Sequence, residues 1–116
     1  KSVVEMGNDR ALEGLLWSLN NEDAEIRRTC IAALKQLTPV GHKLVVSALQ
    51  KRLQHPDWLI RKDASLALSL VAKRDDPAVI KSILALLDDP VFEVRVCVED
   101  ATRNMFFPGD DRIVIA

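Results

Sequence analysis

The sequence predicts an all-α fold, a solenoid of antiparallel helix pairs with about 34 residues per repeat, and three observations carry that prediction. The chain matches itself at an offset of 34 residues: Leu19, Leu53 and Leu87 fall in step, as do Arg27, Arg61 and Arg95. Apolar residues inside each period recur at helical spacing. Breaks rich in Asn, Asp and Pro divide each period into two such stripes. Self-similarity at a fixed spacing of roughly 20 to 50 residues marks a solenoid, in which each unit buries its apolar face on its neighbours.

The first helix of the unit is predicted by Leu12, Leu15, Leu16 and Leu19, the i, i+3, i+4, i+7 pattern of one helix face. Its second copy reads Val46, Leu49 and Leu53, and its third Ile80, Ile83, Leu84 and Leu87. Gln50 interrupts the stripe, which places its slot at the margin of the buried face. Gly14, Ala48 and Ser82 share a small-residue slot and are expected to let helix backbones approach closely. A break follows each stripe: Asn20 to Asp23, Gln54 to Asp57, Asp88 to Val91. Pro56 and Pro90 suit a helix's first turn, where the missing N–H has no intrahelical partner to lose. Asn21 and Asp89 then fall at the N-cap, with His55 a poorer cap in the same slot. The second helix is predicted by Ile26, Cys30, Ala33, Leu34 and Leu37, by Ile60, Ala64, Ala67, Leu68 and Val71, and by Val94, Val98, Ala101, Thr102 and Met105.

Short connections bearing Gly or Pro join the units, and they leave no room for an interdomain linker. One array is expected over 1–116, with repeats at about 7–40, 41–74 and 75–108 and a partial fourth at 109–116. Gly7, Gly41 and Gly109 hold one slot in register, with Asp75 in the third copy. Neither end carries a polar capping unit, so the expectation is a segment cut from a longer array, able to self-associate through its ends. Phe106 and Phe107 fit the same reading.

Sixteen basic and seventeen acidic residues leave a formal net charge of -1, and no block of like charge stands out. Nothing global favours nucleic acid or an anionic membrane. Cys30 and Cys97 lie in different units without CxxC spacing or a histidine pair, which argues against zinc and against a disulfide framework, and makes a reducing, cytoplasmic compartment the default. No apolar run reaches the roughly 18 residues that span a bilayer.

The strings Asn21-Glu22-Asp23-Ala24-Glu25-Ile26-Arg27, His55-Pro56-Asp57-Trp58-Leu59-Ile60-Arg61 and Asp89-Pro90-Val91-Phe92-Glu93-Val94-Arg95 resemble the helix-turn-helix junction of HEAT repeats. Ala33-Leu34 and Ala67-Leu68 resemble that family's alanine-leucine pair. The resemblance implies a right-handed α-α superhelix with first helices on the convex side and second helices on the concave side. Thr102 in the leucine slot and Asp100 beside it depart from the pattern. A tetratricopeptide array shares the period, but its aromatic positions are not filled in register and the chain has no tyrosine. Armadillo units need a third helix and about 40 residues or more.

Arg27, Arg61 and Arg95 read first as a structural ladder, paired with acids of their own or the adjoining repeat, and second as a basic ladder for an acidic partner. The resemblance supports the structural role. Solvent-side residues of the second helices are the partner-binding candidates: Arg28, Lys35, Lys62, Ser65, Ser69, Glu99 and Arg103, with Ile31, Leu66 and Val96 as apolar members. Trp58 and Phe92 share one slot, either as packing over the inter-helix turn or as an aromatic ridge at the groove edge. Trp17 aligns with Lys51 and Ala85, so its slot is not a core slot in the other copies. His42 and His55 fall in different units, with no companion ligand for a metal.

No glycine-rich phosphate loop, nucleophile and base pair, or histidine-glutamate motif is present. The function expected is therefore a non-catalytic protein-interaction or scaffold module, with another protein as partner and no cofactor. The alternative is an enzyme component of the phycobilin lyase type, whose signature is mainly the related short repeat itself. A nucleic-acid-binding HEAT-like protein is the third choice.

Overall fold

The computed structural model describes residues 8–106. The fold is all-α, with α1 at Asn8–Ser18, α2 at Ala24–Leu37, α3 at Lys43–Arg52, α4 at Trp58–Val71, α5 at Pro77–Leu84 and α6 at Phe92–Phe106. A 3-10 turn, Ala85–Asp88, continues α5. Consecutive helices pair as α1 with α2, α3 with α4, and α5 with α6. Across units α1 lies on α3, α2 on α4, and α4 on α6, so first helices form one layer and second helices another. One buried cluster runs through all three pairs, from Leu12 to Met105. Each apolar stripe is thus covered by its own pair and by the next.

The leucine stripes carry this packing. Leu12, Leu16 and Leu19 are buried on α1, as are Val45, Val46, Leu49 and Leu53 on or beside α3. Gln50 is half-buried and donates from Nε2 to the Ser82 hydroxyl of α5 at 3.3 Å. The third copy departs from the expected stripe: Val79, Ile83 and Leu86 are the buried residues, while Leu84 and Leu87 are exposed. At Leu87 the 3-10 turn explains the change, whereas Leu84 precedes that turn and holds the marginal slot of Gln50. Three residues per turn in place of 3.6 rotate the buried face by the end of the helix, so Leu86 points inward where 34-residue counting expects Leu87.

Two further expectations are corrected. A Cβ built on Gly14 meets nothing within 4 Å, so no backbone approaches α1 there. The caps lie two residues later than expected: Asp23 accepts from the Glu25 N–H at 2.8 Å and Asp57 from the Leu59 N–H at 2.9 Å. Asn21, His55 and Asp89 share a different role. Each accepts from the N–H two residues on, at 2.8 to 2.9 Å, and so fixes the turn that precedes the helix. Pro56 and Pro90 therefore sit in the turns, outside the helices.

Each of those turns is closed from the other side by an arginine. Arg27 Nη1 donates to the Asn21 and Glu22 carbonyls at 2.9 and 3.1 Å, and Arg61 Nη1 to those of His55 and Pro56 at 2.8 and 3.0 Å. Arg95 Nη1 reaches the Asp89 carbonyl at 2.6 Å. The remaining donors tie one unit to the next. Arg27 Nε binds the Asp63 carboxylate on α4. Arg61 binds Asp89 with two parallel bonds, Nε to Oδ2 at 2.7 Å and Nη2 to Oδ1 at 3.0 Å. Its hydrogen bonds hold the Asp89 carboxyl below the usual carboxylate range, against a desolvation that pushes the other way.

One more tie joins two units, and another closes the second unit on itself. Arg52 on α3 donates to the Leu16 carbonyl at the end of α1 at 2.9 Å, and burial pulls its pKa down. Gly41 donates its N–H to the Val71 carbonyl at 2.7 Å with φ at 81°, where a Cβ would also meet the Lys73 side chain at 3.0 Å. Among the described residues no non-glycine residue has positive φ, so Asp75 keeps the register of Gly41 without its conformation. Gly7, Phe107 and Gly109 lie outside the described residues.

Arg61→Ala is expected to cost about 3 kcal/mol at neutral pH, because it strands a buried carboxylate. The folded carboxyl is depressed, so its contribution is present above the unfolded value near 3.9 and is lost as pH falls through the folded value. The penalty measured by chemical denaturation should therefore shrink below about pH 4. Opposite signs are expected for two glycine variants in thermal unfolding. Gly14→Ala should stabilise by about 0.5 to 1 kcal/mol, and Gly41→Ala should destabilise by about 1 kcal/mol or more.

Candidate functional site

The second-helix layer carries two hollows, one at each end of its helices. The first, of about 400 Å³, lies between the N-terminal halves of α2, α4 and α6. Arg28 comes from α2, Lys62 and Leu66 from α4, and Phe92, Glu93, Val96, Cys97 and Asp100 from α6. Helical spacing brings the α6 group together: positions 93, 96, 97 and 100 are i, i+3, i+4 and i+7 of one face. The Arg27 and Asp63 pair forms part of the wall, and its charges satisfy each other.

Apolar surface is open in this cleft. Phe92 is 65% exposed and Val96 41% exposed. The Arg95 guanidinium stands 5.7 Å from the Phe92 ring centre, and Lys62 Nζ stands 5.8 Å from that of Trp58. Phe92 and Trp58 share a slot in the sequence yet differ in setting: Trp58 is half-buried against the core and lines neither hollow. Cys97 holds the slot that Asp63 holds one unit earlier. Its Sγ lies 3.4 Å from the Lys62 carbonyl and 3.5 Å from the Ser65 hydroxyl, and burial pushes its thiol pKa up.

The second hollow, of about 860 Å³, lies at the C-terminal ends of α2, α4 and α6. Lys35 lines it, with Lys73, Arg74 and Asp75 from the connection after α4 and Asn104 from α6. Lys35 and Arg28 therefore belong to different hollows although both are on α2. Glu99 and Arg103 are exposed on α6 and line neither, and Arg103 pairs with Asp100 at 3.2 Å. Of the ladder arginines, Arg27 alone borders the first cleft.

Three expected surface residues are buried. Helical phase alone puts Ser65, Ser69 and Ile31 on the solvent side, and all three are inside. For the serines the reason is the close packing of α6 on α4. The Ser65 hydroxyl turns back to the Lys62 carbonyl at 2.7 Å, and that of Ser69 to the Leu66 carbonyl at 2.6 Å. Ser69 Oγ also accepts from Asn104 Nδ2 at 3.1 Å. Conversely Ile26 and Leu37, read as core, are exposed, because only α4 flanks α2 within this layer among the described residues. Trp17 on α1 is 74% exposed. Among the described residues no group of three His, Cys, Asp or Glu side chains could hold a metal ion, and no helix is long and apolar enough to cross a membrane.

A family model for HEAT repeats matches residues 12–101. No curated protein matches the chain. The match covers most of the sequence and all three helix pairs, and the chain belongs to the HEAT-repeat family.

With its thiol pKa raised, Cys97 should be mostly protonated at neutral pH. Alkylation by iodoacetamide at pH 7 is expected to be slower at Cys97 than at a free cysteine in a short peptide, as followed by intact mass.

Proposed function

We propose that this chain is a non-catalytic protein-interaction or scaffold module that binds another protein on the concave face formed by its second helices. HEAT repeats generally serve protein–protein interaction, and the family membership supports the reading at that level. The observation that carries the finer claim is the cleft between α2, α4 and α6, where Phe92 and Val96 leave apolar surface open among charged side chains. Open apolar area ringed by polar groups is the usual composition of a protein interface. Arg28, Lys62 and Phe92 are the contact residues proposed there, with Lys35 at the far hollow and Glu99 and Arg103 on the rim along α6. Trp58 supports the surface from beneath. Arg27, Arg61 and Arg95 serve the framework. A cytoplasmic setting fits two cysteines that are both free thiols.

Crosslinking and pull-down with the chain as bait test this. Phe92→Ala combined with Lys62→Glu should weaken capture of a specific partner about tenfold or more, while Trp17→Ala on the first-helix layer leaves it unchanged. Recovery of no specific partner, or loss only with Trp17→Ala, overturns the proposal.

A further inference from the structure

The cleft between α2, α4 and α6 is polarised. Arg28 and Lys62, which form no ion pair among the described residues, stand on α2 and α4 with Lys62 over the Trp58 ring, whereas Glu93 and Asp100 stand on α6 to either side of Val96. Arg27 and Asp63 neutralise each other, and Asp100 is shared only with the exposed Arg103. Leu66, Val96 and Phe92 provide apolar surface between the two charged sides.

We propose that this cleft takes a segment of a partner protein with an acidic residue, a bulky apolar residue and a basic residue, in that order from the α2 side to the α6 side. The inference rests on the reading of the second-helix face as a protein-binding surface and goes beyond it by specifying the bound chemistry. The apolar residue covers Leu66, Val96 and Phe92. The acid meets Arg28 and Lys62, and the base meets Glu93 and Asp100. A uniformly anionic ligand such as a nucleic acid or a membrane surface would be attracted at α4 and repelled at α6. A small polar ligand is not favoured either. The buried side-chain atoms left without hydrogen bonds, His42 Nδ1 and Arg52 Nε, both lie outside the cleft. Packed helices lie about 8 to 10 Å apart and an extended chain advances about 3.3 Å per residue. The acid is therefore set about three positions from the apolar anchor.

The test is selection of random peptides displayed on phage against the whole chain, followed by fluorescence polarisation with a synthetic peptide of the selected sequence. Selected sequences should converge on the acid, apolar and base order. Arg28→Glu with Lys62→Glu should weaken the peptide about tenfold, and exchanging its acid for lysine should restore binding to that variant. Val96→Asn, a neutral change at an exposed position, should abolish binding with the melting temperature little changed. Val96→Asp should do the same at a small further cost from its neighbours Glu93 and Asp100. Peptides of one charge sign alone, or no convergence, overturn the proposal. Binding that ignores these variants but is lost with Lys35→Glu and Arg74→Glu also overturns it, while leaving the second-helix face as the protein-binding surface. A change of oligomeric state on Val96→Asp, seen by sedimentation, would make the occupant a second copy of the chain and equally overturn it. Partner binding that maps only to Trp17 defeats both readings at once.

Discussion

An array without a central core needs something to fix each unit against the next, and here a guanidinium paired with a carboxylate does so at each of the two junctions. The arginine one turn into a second helix closes its own preceding turn through two carbonyls and grips a carboxylate of the following unit. Leucines alone would allow neighbouring units to slide, because apolar contact is non-directional. The planar fork of arginine has fixed donor directions and permits one arrangement. A single side chain thereby links the turn and the start of the second helix to the next unit, with Arg52 and Gln50 adding further ties in the first-helix layer.

The acid that answers each arginine does not keep its place. Arg27 takes Asp63 from the second turn of α4, and Arg61 takes Asp89 from the turn before α6. At an offset of 34 residues Asp63 corresponds to Cys97, and Asp89 to His55. The carboxylate has moved from helix to turn between one junction and the next, and each junction holds one of the two. The move leaves a small sulfur where a charge would stand, beneath the cleft and against Ser65. Small side chains at Ser65, Ser69 and Cys97 let α6 settle closely on α4, which accounts for the burial of both serines.

The parts of the fold legible in the sequence are those that depend on one helix at a time. The 34-residue period, the two helices per unit and the arginine slot can all be read from helical phase and turn residues. Phase fails where a third neighbour decides. Ser65 and Ser69 look solvated on α4 until α6 is laid over them, and Ile26 looks buried although, among the described residues, α2 has only one neighbour in its layer. Leu87 fails for a different reason, since a 3-10 turn changes the phase itself. In the candidate site, Arg28, Lys62 and Phe92 could be named from their helix faces, whereas the charge polarity across the cleft depends on which arginine is already paired. Asp23 shows a local competition: it is a good cap two residues after another good cap, Asn21, and propensity alone does not choose between them.

The two seams between units are not equal. α4 packs more extensively on α6 than on α2, and regions with fewer packed contacts open at lower free energy. The array is then stiff across its second seam and compliant across its first. The cleft straddles both: Leu66, Val96 and Phe92 belong to the stiff side, and Arg28 rides on the compliant one. Flexing the array would change the span from Arg28 to Glu93 while the apolar seat stays as it is, so the molecule has the build of a caliper with one fixed and one sliding jaw.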